Sequence, residues 1–346
     1  MKEVDKKRFS ALLSWANLHG ASLHPALEIY KDDLTGFSIR FKSDLSQDAA
    51  NLKPGDEILI CPLKASLSYL NAITGGPLVS TPSEQTDTSS SFPSGFNDLP
   101  PHVIGRFFLM KEFLAGKSSF WYPYITTLPQ PDVLSTWSLP PFWPEDDAEF
   151  LECTNTGISA QAIRDQLKKE FKEARKALKD AGCEDWRDYT RTLHDWAFSI
   201  FASRSFRPSL VIPKALRDAA LPKGVAIDDF SILLPVFDII NHSPRAQVRW
   251  LVDDESSVAH TCRFQSFDTY QPGDQIFNSY GKKTNSELLL SYGFILPETD
   301  DIHNDYLHVR KRTGAGGPAD SVPGAGSAGP PQDFLVSLRP INHPSS

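Results

Sequence analysis

Leu233-Leu234-Pro235-Val236-Phe237-Asp238-Ile239-Ile240-Asn241-His242-Ser243 is an apolar run that ends in polar side chains, and about forty residues further on the chain reads Phe277-Asn278-Ser279-Tyr280-Gly281, continuing KKTNSELLLSYGF from Lys282 to Phe294. Each stretch has an ordinary explanation by itself. Asp238 and Asn241 are short polar residues of the kind that cap local backbone, and a histidine beside an apolar run is more often a satisfied core residue than a ligand. The second stretch reads as a Tyr-Gly turn, then a short capped helix with Asn285 near its start and Gly293 at its end. An Asn-His pair behind an apolar segment, followed in this order by a Tyr-Gly turn and a Tyr-Gly-Phe, is far more specific than either stretch alone.

The flanking chain supplies strand-length pieces. Ile232 to Ile240, Val248 to Val252, Thr261 to Phe267 and Gln275 to Phe277 are short apolar or alternating segments, and Gly273-Asp274 predicts a hairpin-like turn between two of them. At the other end, Phe9, Leu12, Leu13, Ala16 and Leu18 predict an amphipathic helix over residues 8–20 that stops at Gly20. Strands follow at Ala26 to Tyr30, Thr35 to Phe41 and Asp56 to Cys61, with Pro54-Gly55 as a turn. Between these β-rich ends, Ile163, Leu167, Phe171, Ala174 and Leu178 step at helical spacing, predicting a helix capped by Ser159 and ended by Gly182. Its Lys, Arg and Glu residues read as a solvated face. A second helix carries Trp186, Tyr189, Leu193, Trp196, Ile200 and Phe201 on one side and delivers the chain to Ser203-Arg204-Ser205-Phe206. The aromatic residues from Phe107 to Trp137, broken by prolines, read as a packed irregular helical region rather than a ligand cage.

Composition divides the rest. Residues 1–75 form the N-terminal β part, 76–200 a flexible loop and helical insert, 201–300 the part bearing the two decisive stretches, and 301–346 a low-complexity tail. The segment from Gly75 to Pro101 is rich in Ser, Thr, Pro, Gly and Asp and is expected to be mostly flexible. The tail from Thr313 to Gln332 is expected to be disordered; its Gly324-Ala325-Gly326-Ser327-Ala328-Gly329 matches G-x-G-x-x-G, but no strand precedes it and no amphipathic helix follows, which argues against a dinucleotide fold.

With 346 residues, 40% of them hydrophobic and 23% charged, the chain can bury a sizeable core and has the composition of a globular protein. It lacks the run of about 18 apolar residues that spans a bilayer, and the charged N-terminus has no apolar signal region. The expected location is therefore cytoplasmic and/or nuclear, with no membrane partner. Cys61, Cys153, Cys183 and Cys262 are too far apart for a metal cluster by spacing, so they read as reduced packing residues and no metal is expected. A net charge of -8 argues against a general nucleic-acid binder and favours a basic protein segment as partner. A monomer is expected.

The two decisive stretches resemble the C-terminal motifs of SET-domain protein methyltransferases. Ser203-Arg204-Ser205-Phe206 resembles a third element, found in the subgroup typified by the Rubisco large-subunit lysine methyltransferase and its fungal ribosomal-protein relatives, and Thr35-Gly36-Phe37 resembles the N-terminal cofactor loop. The resemblance covers roughly residues 8 to 300. It implies an α+β class: a β-rich SET fold with a knot-like C-terminal crossing and an inserted helical lobe, the tail after 301 being the remnant of a substrate-binding lobe. S-adenosyl-L-methionine enters on one face and the lysine side chain of a protein substrate on the other, with a narrow channel between. Carried over by motif, Tyr280 is catalytic, while Gly36, Phe37, Arg204, Asn241 and His242 bind the cofactor, Arg204 through its carboxylate. Ser203, Phe206, Asp238, Tyr292 and Phe294 fall on the substrate side, Asp238 as a substrate-side or structural acid and the last two as channel walls. The implied activity is a protein-lysine N-methyltransferase acting on a non-histone protein, such as a ribosomal protein. A protein-histidine methyltransferase and a non-catalytic SET-domain binding protein are the alternatives. Phe206 favours lysine, because the histidine-directed branch tends to place a polar side chain there.

The chemistry suits these residue types independently of the family. Methyl transfer from a sulfonium is an in-line displacement, so alignment of donor and acceptor does most of the work. A lysine amine has a reference pKa of about 10.4, and holding it neutral at pH 7.4 costs about 4 kcal/mol in water. An apolar aromatic channel and a nearby positive charge both favour the neutral amine, and a tyrosine hydroxyl can orient it while remaining uncharged. Two features depart from the family pattern. Gly36-Phe37-Ser38 lacks the second glycine of the usual Gly-x-Gly loop, so the loop is expected to crowd the cofactor or to sit differently, and the tail is shorter than a full substrate lobe.

Overall fold

A computed structural model describes residues 1–45, 52–78, 90–133, 137–214, 216–217, 221–252, 260–299, 304–310 and 333–337. The chain divides into two compact units, Met1–Trp137 with Arg164–Gly281, and Ser138–Ile163 with Lys282–Ser346.

In the first unit, helix α1 (Glu3–Leu18) buries Phe9, Leu12 and Ala16. Strands β1 (Ser22–Leu23), β2 (Leu27–Asp32), β3 (Gly36–Phe41) and β4 (Glu57–Pro62) follow. β2 and β3 form an antiparallel hairpin with Asp32 opposite Gly36. The turn closes because Asp32 Oδ1 accepts from the backbone N–H groups of Leu34 and Thr35, each at 2.8 Å, and because Gly36 sits at φ +76°, where a side chain would be strained. β4 lies between β1 and β10 (Thr261–Ser266), and β9 (Val248–Val252) completes an antiparallel sheet in the order β1-β4-β10-β9. In β10 Cys262, Phe264 and Ser266 are buried while their alternate neighbours are half-buried, the period of two that a strand with one core face requires.

A second sheet, in the order β5-β7-β6, joins β5 (Leu67–Ser68), β6 (Ser205–Phe206) and β7 (Ile232–Leu233). Between β5 and β6 come the helices α2 (Tyr69–Thr74), α3 (Pro101–Ala115), α4 (Tyr122–Ile125), α5 (Asn155–Asp180, in this unit from Arg164 onward) and α6 (Arg191–Arg204). Phe107, Trp121, Tyr124 and Trp196 are buried there, which makes the aromatic region core. α5 is fastened to α3 through Glu170, which accepts from Arg106 Nη1 (2.5 Å) and lies 3.0 Å from His102 Nε2.

In the second unit, α7 (Asn285–Tyr292) carries a reciprocal capping box between Thr284 and Glu287 and ends at Gly293 in the left-handed region, φ +77°. Asn285 Nδ2 donates to the carbonyl of Leu296 (3.1 Å) and to Asp305 Oδ1 (2.8 Å). Strands β12 (Tyr306–Arg310) and β13 (Asp333–Ser337) pair antiparallel.

Several expectations are corrected. α5 starts a turn before Ser159, with Thr154 Oγ1 accepting from the N–H of Gly157 at 3.0 Å. α6 starts after Thr190, whose hydroxyl accepts from the N–H of Leu193, so Trp186 precedes the helix. Of the expected flexible loop, residues 79–89 lie outside the described residues, but Phe92 and Phe96 are buried with their rings tilted together at 4.5 Å, which anchors residues 90–99. The expected strand from Ile232 to Ile240 is only two residues long, because Pro235 and Val236 turn the chain into a 3-10 turn over Phe237–Ile239. Gly273 does turn, at φ +95°, but the segment after it bridges Gln275 to Arg40 instead of returning along β10. β12 and β13 fall within the expected low-complexity tail, while Thr313 to Gln332 lie outside the described residues. Among the described residues no helix is long and apolar enough to cross a membrane.

Candidate active site

The site rests on two very short strands. β8 (Asn241–His242) and β11 (Phe277–Asn278) pair in parallel, Phe277 opposite Asn241 and Asn278 opposite His242, and the N–H of Ser243 donates to the carbonyl of Asn278 at 2.9 Å. This register delivers Tyr280 to His242. The backbone N–H of Tyr280 donates to His242 Nδ1 (3.1 Å), the two rings stack at 5.0 Å and 19°, and the phenol donates to the carbonyl of Ile240 (2.9 Å). Because Nδ1 accepts, a neutral His242 carries its proton on Nε2. With its own proton committed to Ile240, the Tyr280 oxygen can meet a third group only as an acceptor. Gly281, at φ +90°, lets the chain turn away immediately afterwards.

Asn241 is held from the other side. Its Nδ2 donates to Ser38 Oγ (2.5 Å) and to Gln275 Oε1 (3.2 Å), and Gln275 Nε2 donates to the phenol oxygen of Tyr30 (2.6 Å). Ser38 is fully buried and lies 3.0 Å from Thr35 Oγ1. The serine in place of the second glycine is thus turned into the interior, where it bonds Asn241. Gly36 leaves an open corner, since a Cβ built there meets nothing within 4 Å. Phe37 packs on Phe9 at 4.5 Å, with the Lys31 ammonium 5.9 Å from the ring centre.

A buried acid lies behind these strands. Asp238 Oδ2 accepts from the Tyr124 phenol (3.0 Å) and is 3.5 Å from Arg204 Nη1, which also donates to the Asp238 carbonyl at 3.1 Å. Burial pushes the Asp238 carboxyl pKa up, and the Arg204 charge works against that. Burial and the charge of Asp238 push the Tyr124 phenol well up, so it stays a donor. The Arg204 side chain keeps 26% of its surface exposed while that of Asp238 keeps 2%. Val236, at φ +74°, is a β-branched residue in the left-handed half of the map, an arrangement that stores strain and survives only where its surroundings enforce it.

Phe206 stands against an aromatic cluster, 5.1 Å from Trp250 and 6.4 Å from Phe237, and Trp250 lies 5.4 Å from Phe264. Trp250 Nε1 donates to Asn278 Oδ1 at 3.2 Å, tying the cluster to β11. Ser203 Oγ donates one turn back along α6 to the Ser199 carbonyl (2.7 Å). Gly36, Phe37, Ser203, Arg204, Phe206, Asp238, Asn241, His242 and Tyr280 all belong to the first unit. Tyr292 and Phe294 belong to the second, where their rings lie 6.2 Å apart on either side of Gly293. Sequence reasoning missed Ser38, Gln275, Tyr124 and Trp250. Of these only Ser38 left a signal, as the departure from the glycine loop.

Solved structures share this architecture. Rubisco LSMT bound to sinefungin and monomethyllysine superposes with a TM-score of 0.64 over 92% of this chain and 62% of that one, at 18% identity. The SET domain of LSMT bound to lysine and AdoHcy gives 0.64 over 90% and 62%, at 17% identity. The chain carries the SET fold. The α+β architecture expected from the motifs is the one observed. No family model matches the sequence. The SET-fold chain is 30% identical over 291 residues to the ribosomal lysine N-methyltransferase set10 of Schizosaccharomyces pombe, covering 83% of this chain and 46% of that protein. It is 23% identical over 320 residues to the protein-lysine N-methyltransferase EFM1 of Saccharomyces cerevisiae, covering 82% and 48%. The actin-histidine N-methyltransferase of Homo sapiens is 24% identical over 323 residues, covering 87% and 44%. The SET-fold chain therefore spans about half the length of the curated relatives it matches.

Proposed function

We propose that this SET-fold chain is an S-adenosyl-L-methionine-dependent protein-lysine N-methyltransferase acting on a non-histone protein, with a ribosomal protein as the substrate class that the relatives' names favour. The observation that carries the reading is the parallel pairing of β8 with β11, which sets the Tyr280 phenol against the Ile240 carbonyl directly beside Asn241-His242.

The residues present fit the cofactor. Arg204 offers a partly exposed guanidinium, the chemistry that takes a carboxylate, Gly36 leaves an open corner, and Asn241 and His242 are fixed in a strand whose backbone can hold the remainder. When bound, S-adenosyl-L-methionine supplies an electrophilic methyl group on a sulfonium. The chain's own residues do the rest by positioning. The Tyr280 oxygen accepts an N–H from the incoming lysine amine, which aims the nitrogen lone pair away from the phenol. Phe206, Phe237 and Trp250 provide an apolar wall that excludes water and favours the uncharged amine. Asp238 acts as a structural acid, holding Arg204 and Tyr124 in place. The role of Tyr292 and Phe294 as channel walls rests on the motif alone.

Tyr280→Phe tests the reading. The variant should bind S-adenosyl-L-methionine in calorimetry within about twofold of wild type, because the ring and its stack on His242 survive. It should lose at least about 1.4 kcal/mol of transition-state stabilisation, a factor of ten or more in kcat. Turnover near wild type would remove Tyr280 from the mechanism.

A further inference from the structure

On α5, Arg164, Lys168, Lys172, Arg175 and Lys179 recur every three or four residues. At 3.6 residues per turn and 1.5 Å rise they occupy one arc of about 80° along roughly 22 Å of helix. No acidic residue of α5 falls inside that arc. Glu170 is turned inward to Arg106 and His102, and the Lys176–Asp180 ion pair lies off it. Lys168, Lys172 and Lys179 are exposed, Arg164 and Arg175 half-buried, and among the described residues none of the five makes an ion pair. The face that borders this arc on its Arg164 and Arg175 side is spent on packing, since Leu167, Ala174 and Leu178 are buried.

The row ends in an ordered cluster. Trp186 gathers Arg175 (4.7 Å), Lys179 (5.4 Å) and the exposed Arg187 (4.7 Å) around one indole ring. The basic excess is confined to the helix itself, residues 164–180 carrying seven Lys and Arg against four Asp and Glu, whereas the segment that brings Trp186 and Arg187 adds Glu184, Asp185 and Asp188. Like charges in a single row repel one another, so the row needs a reason. An apolar membrane contact is not available to a helix whose apolar face is already buried. A narrow, straight line of cations ending in guanidinium groups ordered on an aromatic ring matches an extended polyanion with regularly spaced charges.

We infer that this face of α5, together with Trp186 and Arg187, is a docking surface for a single-stranded phosphodiester backbone. The surface is independent of the methyl-transfer reading, and its test uses no methyl donor. Fluorescence anisotropy with a labelled 15-mer of oligouridylate should show binding at 50 mM salt. Five phosphate contacts predict a slope of log affinity against log salt of about -3.5, or roughly a hundredfold loss on raising the salt fourfold. Lys168→Glu/Lys172→Glu/Lys179→Glu should weaken binding at least tenfold and flatten the slope by about two. Lys2→Glu/Lys6→Glu/Lys7→Glu, which changes net charge equally, should stay within about threefold, with circular dichroism confirming that both variants are folded. A matching oligodeoxythymidylate assigns the source of the backbone, equal affinity meaning either nucleic acid and preference for oligouridylate meaning RNA. No binding at 50 mM salt, equal losses in the two triple variants, or equally tight binding of polyglutamate would each overturn the proposal.

Discussion

Replacing Glu170 by glutamine removes one negative charge from the junction of α3 and α5 while keeping its shape. The carboxylate is 8% exposed and meets Arg106 Nη1 at 2.5 Å, His102 Nε2 at 3.0 Å and Gln166 Nε2 at 2.9 Å. Burial alone would raise its pKa, but the hydrogen bond from His102 and the charge of Arg106 outweigh it and hold the group at about 2, against an ordinary 4.5. A depressed carboxyl contributes stability that is complete above its unfolded pKa and is lost as pH falls through its folded one. That displacement corresponds to about 3 kcal/mol at pH 7 and, by the same linkage, about 1.4 kcal/mol at pH 3. Arg106 sets a limit on the pair itself, because burial pushes its guanidinium down even beside Glu170. Forming the pair therefore gains little net, whereas removing one partner strands a buried cation, a loss of about 3–5 kcal/mol. Urea denaturation followed by tryptophan fluorescence should show Glu170→Gln about 3 kcal/mol less stable than wild type at pH 7, with the deficit roughly halved at pH 3. A deficit below about 1 kcal/mol at pH 7, or one that does not change with pH, would refute the linkage reasoning.

Other consequences follow from single contacts. Gly293→Ala would place a Cβ 2.1 Å from Ser138 Oγ and 2.8 Å from the Ser138 carbonyl at φ +77°, costing about 2–4 kcal/mol from the left-handed backbone and the overlap together; thermal melting and limited proteolysis of the second unit report it, and Ser138→Ala should not rescue it because the carbonyl remains. Ser38→Ala removes the shorter of the two acceptors that orient Asn241, a loss of about 1 kcal/mol, so cofactor affinity by calorimetry should fall about fivefold with kcat at saturation preserved; an unchanged Kd would show that Asn241 needs no such support. Val236→Gly relieves backbone strain of about 1–3 kcal/mol while giving up burial of similar size, so its midpoint in urea should correspond to wild-type stability within about 1 kcal/mol.

How far the sequence discloses the molecule can be judged element by element. The limits of β2, β3, β4 and β9 fall within two residues of expectation, because alternation and turn residues are local signals. The run from Leu233 to Ile240 announces burial without conformation, and Pro235 with the strained Val236 converts most of it into a turn that sends Phe237 and Asp238 inward. Gly273-Asp274 is visible as a turn, yet nothing local tells that β11 will pair in parallel with β8, a register set by contacts more than thirty residues apart. Asn241, His242, Tyr280 and Arg204 were legible as a motif. Their supports were not, because Ser38, Gln275, Tyr124 and Trp250 are ordinary residue types whose roles exist only once β3, α4 and β9 have been brought to the crossing. Phe92 and Phe96 make the same point in reverse, two aromatic anchors within a stretch whose average composition reads as flexible.

On the proposed mechanism a methyl group ends on a lysine amine aligned by the Tyr280 oxygen. Purified protein incubated with methyl-labelled S-adenosyl-L-methionine and a ribosomal protein fraction, followed by hydrolysis and identification of the labelled amino acid, tests it most directly. Label should appear in N-methylated lysine with wild-type protein and scarcely at all with Tyr280→Phe. Label in methylhistidine, or equal labelling by the two proteins, would contradict it.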